Sequence, residues 1–203
     1  MGQHSLHFAA LVGSRICHDL ISPIGAINNG MELISMTGSA VGPEMALISE
    51  SVDAANARIR FFRIAYGAPS ETQLLGRAEI TSILRDITRG SRLLVQWDPV
   101  EDLSRSEVQI AFLAIQCAEQ AMAFGGTLTI TRRGKNWHFD MAADRLRLEP
   151  ALWDTLSRAP GETDNDSAIV PAHVQFLLLP LCASNQGRNI SFVQTAEGAS
   201  LTI

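Results

Sequence analysis

Cys17-His18-Asp19-Leu20-Ile21-Ser22-Pro23 places a histidine beside a carboxylate, with a proline five residues beyond the imidazole. Neutral imidazole has a free nitrogen lone pair near neutral pH, so a histidine can act as a nucleophile without extreme tuning of its pKa. An adjacent acid can orient the ring or accept its other N–H proton. His18 and Asp19 are therefore the candidate catalytic pair. On a helix turning about 100° per residue, Phe8, Val12, Ile16, Leu20, Ile24, Ile27, Met31 and Ile34 form one apolar stripe. His18 projects from the side opposite that stripe, where a structural histidine would not point. Ser22 and Gly25 follow it within two turns and are small, so another protein's surface can come close to the ring. Arg15, one turn before, carries a charge suited to an anionic group.

The outward histidine, the adjacent acid and the following proline resemble the H-box of sensor histidine kinases. The longer string from Cys17 through Asn28-Asn29-Gly30-Met31-Glu32-Leu33 resembles the ChpT-type histidine phosphotransferases of alphaproteobacteria, and the likeness in layout covers nearly the whole chain. The resemblance implies that His18 takes a phosphoryl group from the aspartyl phosphate of one receiver domain and passes it to the aspartate of another. Its partners would be response-regulator receiver domains, including that of a hybrid histidine kinase. In this reading Asp19 orients the imidazole, while Arg15, Ser22 and Gly25 form the docking surface. No cofactor is expected, because phosphoryl transfer depends mostly on in-line positioning and charge neutralisation and the receiver's own Mg²⁺ can supply the latter.

The elements that must position these residues follow from the hydrophobic periodicity. A first helix is predicted from about residue 5 to 37, with Pro23 inside it. The missing amide and the ring of that proline predict a local bend or loosening just after His18. Residues 37–43 carry the Gly and Pro punctuation of a turn, and a second helix is predicted over 44–66 with Met45, Ile48, Val52, Ala55, Ile59, Phe62 and Ile64 at its apolar positions. A single hairpin cannot cover both of its faces. Pairing two hairpins into a four-helix bundle would cover them and make the protein a homodimer, and cover by the second domain is the competing arrangement.

Gly67-Ala68-Pro69-Ser70 is the best boundary, dividing the chain into residues 1–69, a helical dimerisation and histidine phosphotransfer domain, and residues 70–203. Beyond it the pattern predicts a helix over 79–90, a strand over 93–97 and an apolar helix over 106–124 that ends at Gly125-Gly126. A hairpin of strands 127–131 and 137–141, a short helix around 150–156, a helix over 171–183 and a final hairpin across Glu197-Gly198 complete it. The polar stretch 159–167 reads as a mobile loop. The fold class is α+β, with an N-terminal helical hairpin forming a dimeric four-helix bundle, followed by an α/β sandwich whose element order is similar to the ATP-binding domain of histidine kinases. In that family the Gly-Gly-ended helix carries an asparagine that helps hold Mg²⁺; here Cys117 stands at that position, and a soft thiol does not replace a hard oxygen ligand. The glycines that let a backbone approach phosphates are missing as well. The second domain is thus expected to be a degenerate ATPase fold. A divergent histidine kinase that binds ATP and a non-catalytic dimeric scaffold are the alternative readings.

Composition narrows the classes further. Among 203 residues, 21 Asp and Glu outnumber 16 Lys and Arg, leaving a net charge of −5, which argues against a nucleic-acid partner. No apolar run reaches the length of a membrane span and no secretory leader is evident, so a cytoplasmic protein without membrane association is expected. Cys17, Cys117 and Cys182 are odd in number and set in apolar helical patterns, which predicts reduced thiols in or near cores and neither disulfide nor metal site.

Overall fold

The computed structural model describes residues 2–37, 42–157, 169–195 and 198–203. The expected mobile loop 159–167 and most of the turn between the first two helices lie outside the described residues, as does Glu197. Helix α1 spans Gly2–Thr37 and α2 spans Pro43–Ala65, the latter opened by its own Pro43, whose missing amide costs nothing in a first turn. The two helices pack against each other and approach closely at Gly30, which is buried; a Cβ there would lie 2.6 Å from Ile48 Cγ1. α1 remains helical through Pro23, which is itself buried.

The remaining elements are β1 (Leu74–Leu75), α3 (Arg77–Ile87), β2 (Leu93–Trp97), β3 (Leu103–Ser104), α4 (Arg105–Ala121), β4 (Gly126–Arg133), β5 (Asn136–Ala142), α5 (Pro150–Leu156), a 3₁₀ turn at Pro171–His173, α6 (Gln175–Asn185), β6 (Ser191–Gln194) and β7 (Gly198–Thr202). Five strands form one sheet in the order β2-β4-β5-β7-β6, antiparallel except for the parallel pair β2 and β4. Alternation sorts their faces: Leu128, Ile130, Trp137, Phe139, Met141 and Leu201 point into the core, while Thr129, Asp140 and Ser200 face outward. The pair β1 and β3 is a two-residue ladder that the sequence did not reveal, too short for any period to show. The helix expected over 171–183 is divided, with the 3₁₀ turn before α6.

Helix α4 is the centre of the core. Val108 and the run from Ile110 to Ala118 are buried, and Ser104 caps its start by accepting the Glu107 amide. At its other end Gly125 and Gly126 adopt φ of 100° and 132°, a conformation that L side chains rarely adopt. That turn lets the chain enter β4 beside β2.

The last turns of α2 belong to the same core. Phe61, Phe62, Ile64 and Ala65 are buried in one cluster with α4, and the Phe61 ring stacks on Phe112 at 4.5 Å and 5°. The first turns of α1 make a second junction, in which Leu11 joins Ile169, Val174 and Leu177 with Phe8 and Val12 against them. Hydrophobic packing is therefore continuous across the Gly67–Ser70 break. Elsewhere along the hairpin, of the apolar positions read from the sequence, Ile24 is 50% and Met31 59% exposed on α1, and Met45, Val52 and Ile59 are exposed on α2. Among the described residues, no helix is long and apolar enough to cross a membrane.

Candidate functional site

His18 lies near the middle of α1, where the apolar stripe turns the opposite face outward, and its side chain is 81% exposed. Its Nδ1 is 3.1 Å from Asp19 Oδ1. Adjacent helical side chains diverge by about 100°, so this contact requires Asp19 to reach back toward the ring. Arg15, one turn earlier, donates from Nε to Asp19 Oδ2 at 2.9 Å and from Nη1 to the Ala172 carbonyl oxygen at 2.5 Å. Asp19 and Arg15 are each only 17% exposed. A hydrogen-bonded row thus runs from the 3₁₀ turn through Arg15 and Asp19 to the exposed imidazole. Proline at position 23 removes the amide that would bond the Asp19 carbonyl, so the helix carries an unmade hydrogen bond directly behind the site.

The ground behind the row comes from α4 and the end of α2. Tyr66 donates its hydroxyl to Gln116 Oε1 at 2.9 Å, and its pKa is pushed up to about 12, by burial first, with nearby Arg15 and Gln116 opposing. Glu119 is half-buried, and desolvation pushes its carboxyl up to about 7; Arg15 and Arg58 pull it down, and the Asp19 charge adds to the rise. At the end of the 3₁₀ turn, His173 Nε2 is 3.1 Å from Gln120 Nε2, and burial lowers its pKa.

Of the residues singled out in the sequence, the structure brings His18, Asp19 and Arg15 together. Ser22 is exposed, Gly25 is half-buried with open space where a Cβ would stand, and Asn28 and Asn29 are exposed further along the same helix. Arg15 differs from the docking position expected of it: its guanidinium is turned inward and occupied by Asp19 and Ala172. Cys17 also departs from expectation, being exposed beside His18 because position 17 lies off the covered face of α1; Cys117 is buried, Cys182 is half-buried, and all three are free thiols. Tyr66, Glu119 and the Ala172 carbonyl were not found from sequence. Only Glu119 had a signal, as an acid close behind a run of buried residues in α4.

Cys117, where the kinase resemblance places a magnesium ligand, is fully buried, and burial pushes its thiol pKa well up. The surface cleft at that end of the sheet is lined by Phe124 to Thr127 and Ala142 to Arg145, without Cys117, and the Arg145 guanidinium lies 4.5 Å over the Phe124 ring. Among the described residues no group of three or more His, Cys, Asp or Glu is placed to hold a metal ion.

Comparison with known proteins identifies the family. A family model of the histidine phosphotransferase C-terminal domain matches residues 77–198. Protein phosphotransferase ChpT of Brucella abortus (strain 2308) is 31% identical over 199 residues, 95% of this chain and 93% of its own. The solved structure of a bacterial phosphotransferase superposes with a TM-score of 0.79 at 31% identity, over 97% of this chain and 95% of that one. The chain belongs to the ChpT-type histidine phosphotransferases, with phosphoryl transfer as its activity.

Proposed function

We propose that His18 is the phosphoacceptor and that Nε2 is its reacting atom. The observation that carries this is the contact of Nδ1 with Asp19 on a ring that is otherwise exposed. With its proton on Nδ1 and donated to the carboxylate, the imidazole keeps its lone pair on Nε2, pointing to solvent where a partner can dock. Nε2 attacks the phosphorus of a receiver's aspartyl phosphate, an N–P bond forms, and the bond from phosphorus to the aspartyl oxygen breaks, returning a carboxylate to the receiver. The phosphohistidine ring is then cationic, and Asp19 holds its Nδ1–H. Attack on the phosphorus by a second receiver's aspartate reverses the steps and returns the neutral ring. Magnesium bound in the receiver neutralises the moving charge. Ser22 and Gly25 lie under the docked receiver, and the receiver of a hybrid histidine kinase is a fitting donor.

The functional unit is a homodimer. Ile24, Met31, Met45, Val52 and Ile59 leave an apolar face on α1 and α2 that the described residues of the second half do not cover, and a second copy pairing helix to helix covers it. Residues 1–69 form the transfer and dimerisation unit, and residues 70–203 an ATPase-like unit without a nucleotide. The test is incubation with a receiver carrying labelled phosphate and Mg²⁺. Wild type takes label, whereas His18→Gln takes none and keeps its fold and dimer, since an exposed ring contributes little packing. Label on the folded His18→Gln protein would refute the assignment.

A further inference from the structure

We infer that Arg15 is a positioning residue through which the second half of the chain sets the tautomer of His18. The inference rests on His18 being the phosphoacceptor. A neutral imidazole in water exchanges between two tautomers, and only the one protonated on Nδ1 leaves Nε2 able to attack. The choice is made by what the other nitrogen bonds to, and for this exposed ring that partner is Asp19 Oδ1.

An aspartate on a helix surface has several open rotamers and would hold the ring only part of the time. Here its second oxygen is taken by Arg15 Nε, which leaves Oδ1 aimed at the histidine. Arg15 is itself fixed from the far side. A guanidinium presents its donors in a rigid planar fork, so a bond from Nη1 to the Ala172 carbonyl fixes the direction of Nε as well. Ala172 sits within the 3₁₀ turn, closed by Val174 donating to the Pro171 carbonyl and His173 donating to the Val170 carbonyl. Val174 is fully buried in one cluster with Leu11, one helical turn before Arg15, so packing beside the polar link holds the turn against the helix. The Arg15 and Asp19 side chains are both mostly withdrawn from water, a partly desolvated setting in which a charge-assisted bond is stronger than at a free surface. The second half thereby acts on the transfer without any nucleotide.

The experiment uses the full chain labelled with ¹⁵N in its histidine rings. In wild type at pH 8 the His18 ring shows a protonated Nδ1 and a bare Nε2. In Arg15→Ala, the ratio of the Nδ1–H to the Nε2–H form falls by about fivefold, the weight of one net hydrogen bond, and transfer from saturating phosphorylated receiver slows in proportion to the measured loss of the Nδ1–H fraction while the KM for receiver stays within about twofold. Arg15→Lys keeps a cation beside Asp19 but loses the fork, and gives a tautomer ratio between the two. It carries the test if Arg15→Ala does not fold. An unchanged tautomer ratio in the folded variants, or slower transfer without a tautomer shift, overturns the inference. Label accepted by His18→Gln would overturn the phosphoacceptor instead, and would leave the tautomer result standing.

Discussion

Replacing Glu119 with Gln should stabilise the protein, and the gain should grow with pH. The carboxyl sits on α4 behind the Arg15 and Asp19 pair, and desolvation, opposed by Arg15 and Arg58, raises its pKa from 4.5 to about 7. A carboxyl whose folded pKa lies above its unfolded one binds its proton more tightly in the folded state. Its contribution to stability is therefore complete below about pH 4.5, declines as pH rises and is lost above about pH 7. At about 1.4 kcal/mol per pKa unit the full rise corresponds to about 3 kcal/mol. Glu119 is only half-buried, and screening by water at its exposed edge reduces this to about 1–2 kcal/mol. Glutamine keeps the shape and never ionises, so the difference in stability between variant and wild type should grow by that amount from pH 5 to pH 8. Urea denaturation at a fixed protomer concentration, across that range, measures it, provided the m-values agree. A difference that stays flat with pH, or that narrows as pH rises, would refute the placement of Glu119 in a desolvated site.

Further outcomes are expected from other parts of the structure. Calorimetry with Mg-ATP should give no saturable heat, since a fully buried thiol, Cys117, stands in place of a hard oxygen ligand and the glycines of a phosphate cradle are missing; micromolar binding would favour a divergent kinase. Light scattering at low micromolar concentration should give twice the chain mass, and Met31→Glu, which puts a charge on the uncovered face, should shift the protein toward monomer. A Cβ at Gly25 meets nothing within 4 Å of its own chain and Leu replaces a poor helix former, so Gly25→Leu should keep the fold and dimer. By obstructing the docking face it should slow transfer from a phosphorylated receiver at least tenfold, corresponding to about 1.4 kcal/mol of barrier, and normal rates would place the docking surface elsewhere.

Local pattern by itself determined much of this protein. The spacing of apolar residues fixed which face of α1 is covered and so sent His18 outward, because helical geometry converts sequence period into direction without reference to the rest of the chain. The same rule located α2, α4 and the hairpin of β4 and β5, where alternation and turn residues act over a few positions. Resemblance of the His18 to Leu33 string supplied the chemistry. Tertiary structure decided what no period carries. Arg15 and Ala172 are 157 residues apart, and the acceptor is a backbone carbonyl, which every residue has and none announces. The unusual setting of Glu119 arises only where α4 meets α1 and α2, because desolvation is a property of the assembled neighbourhood. The packing of Phe61 on Phe112 likewise joins two segments that the Gly67–Ser70 break separates in sequence, since a turn in the chain is no barrier to a shared core.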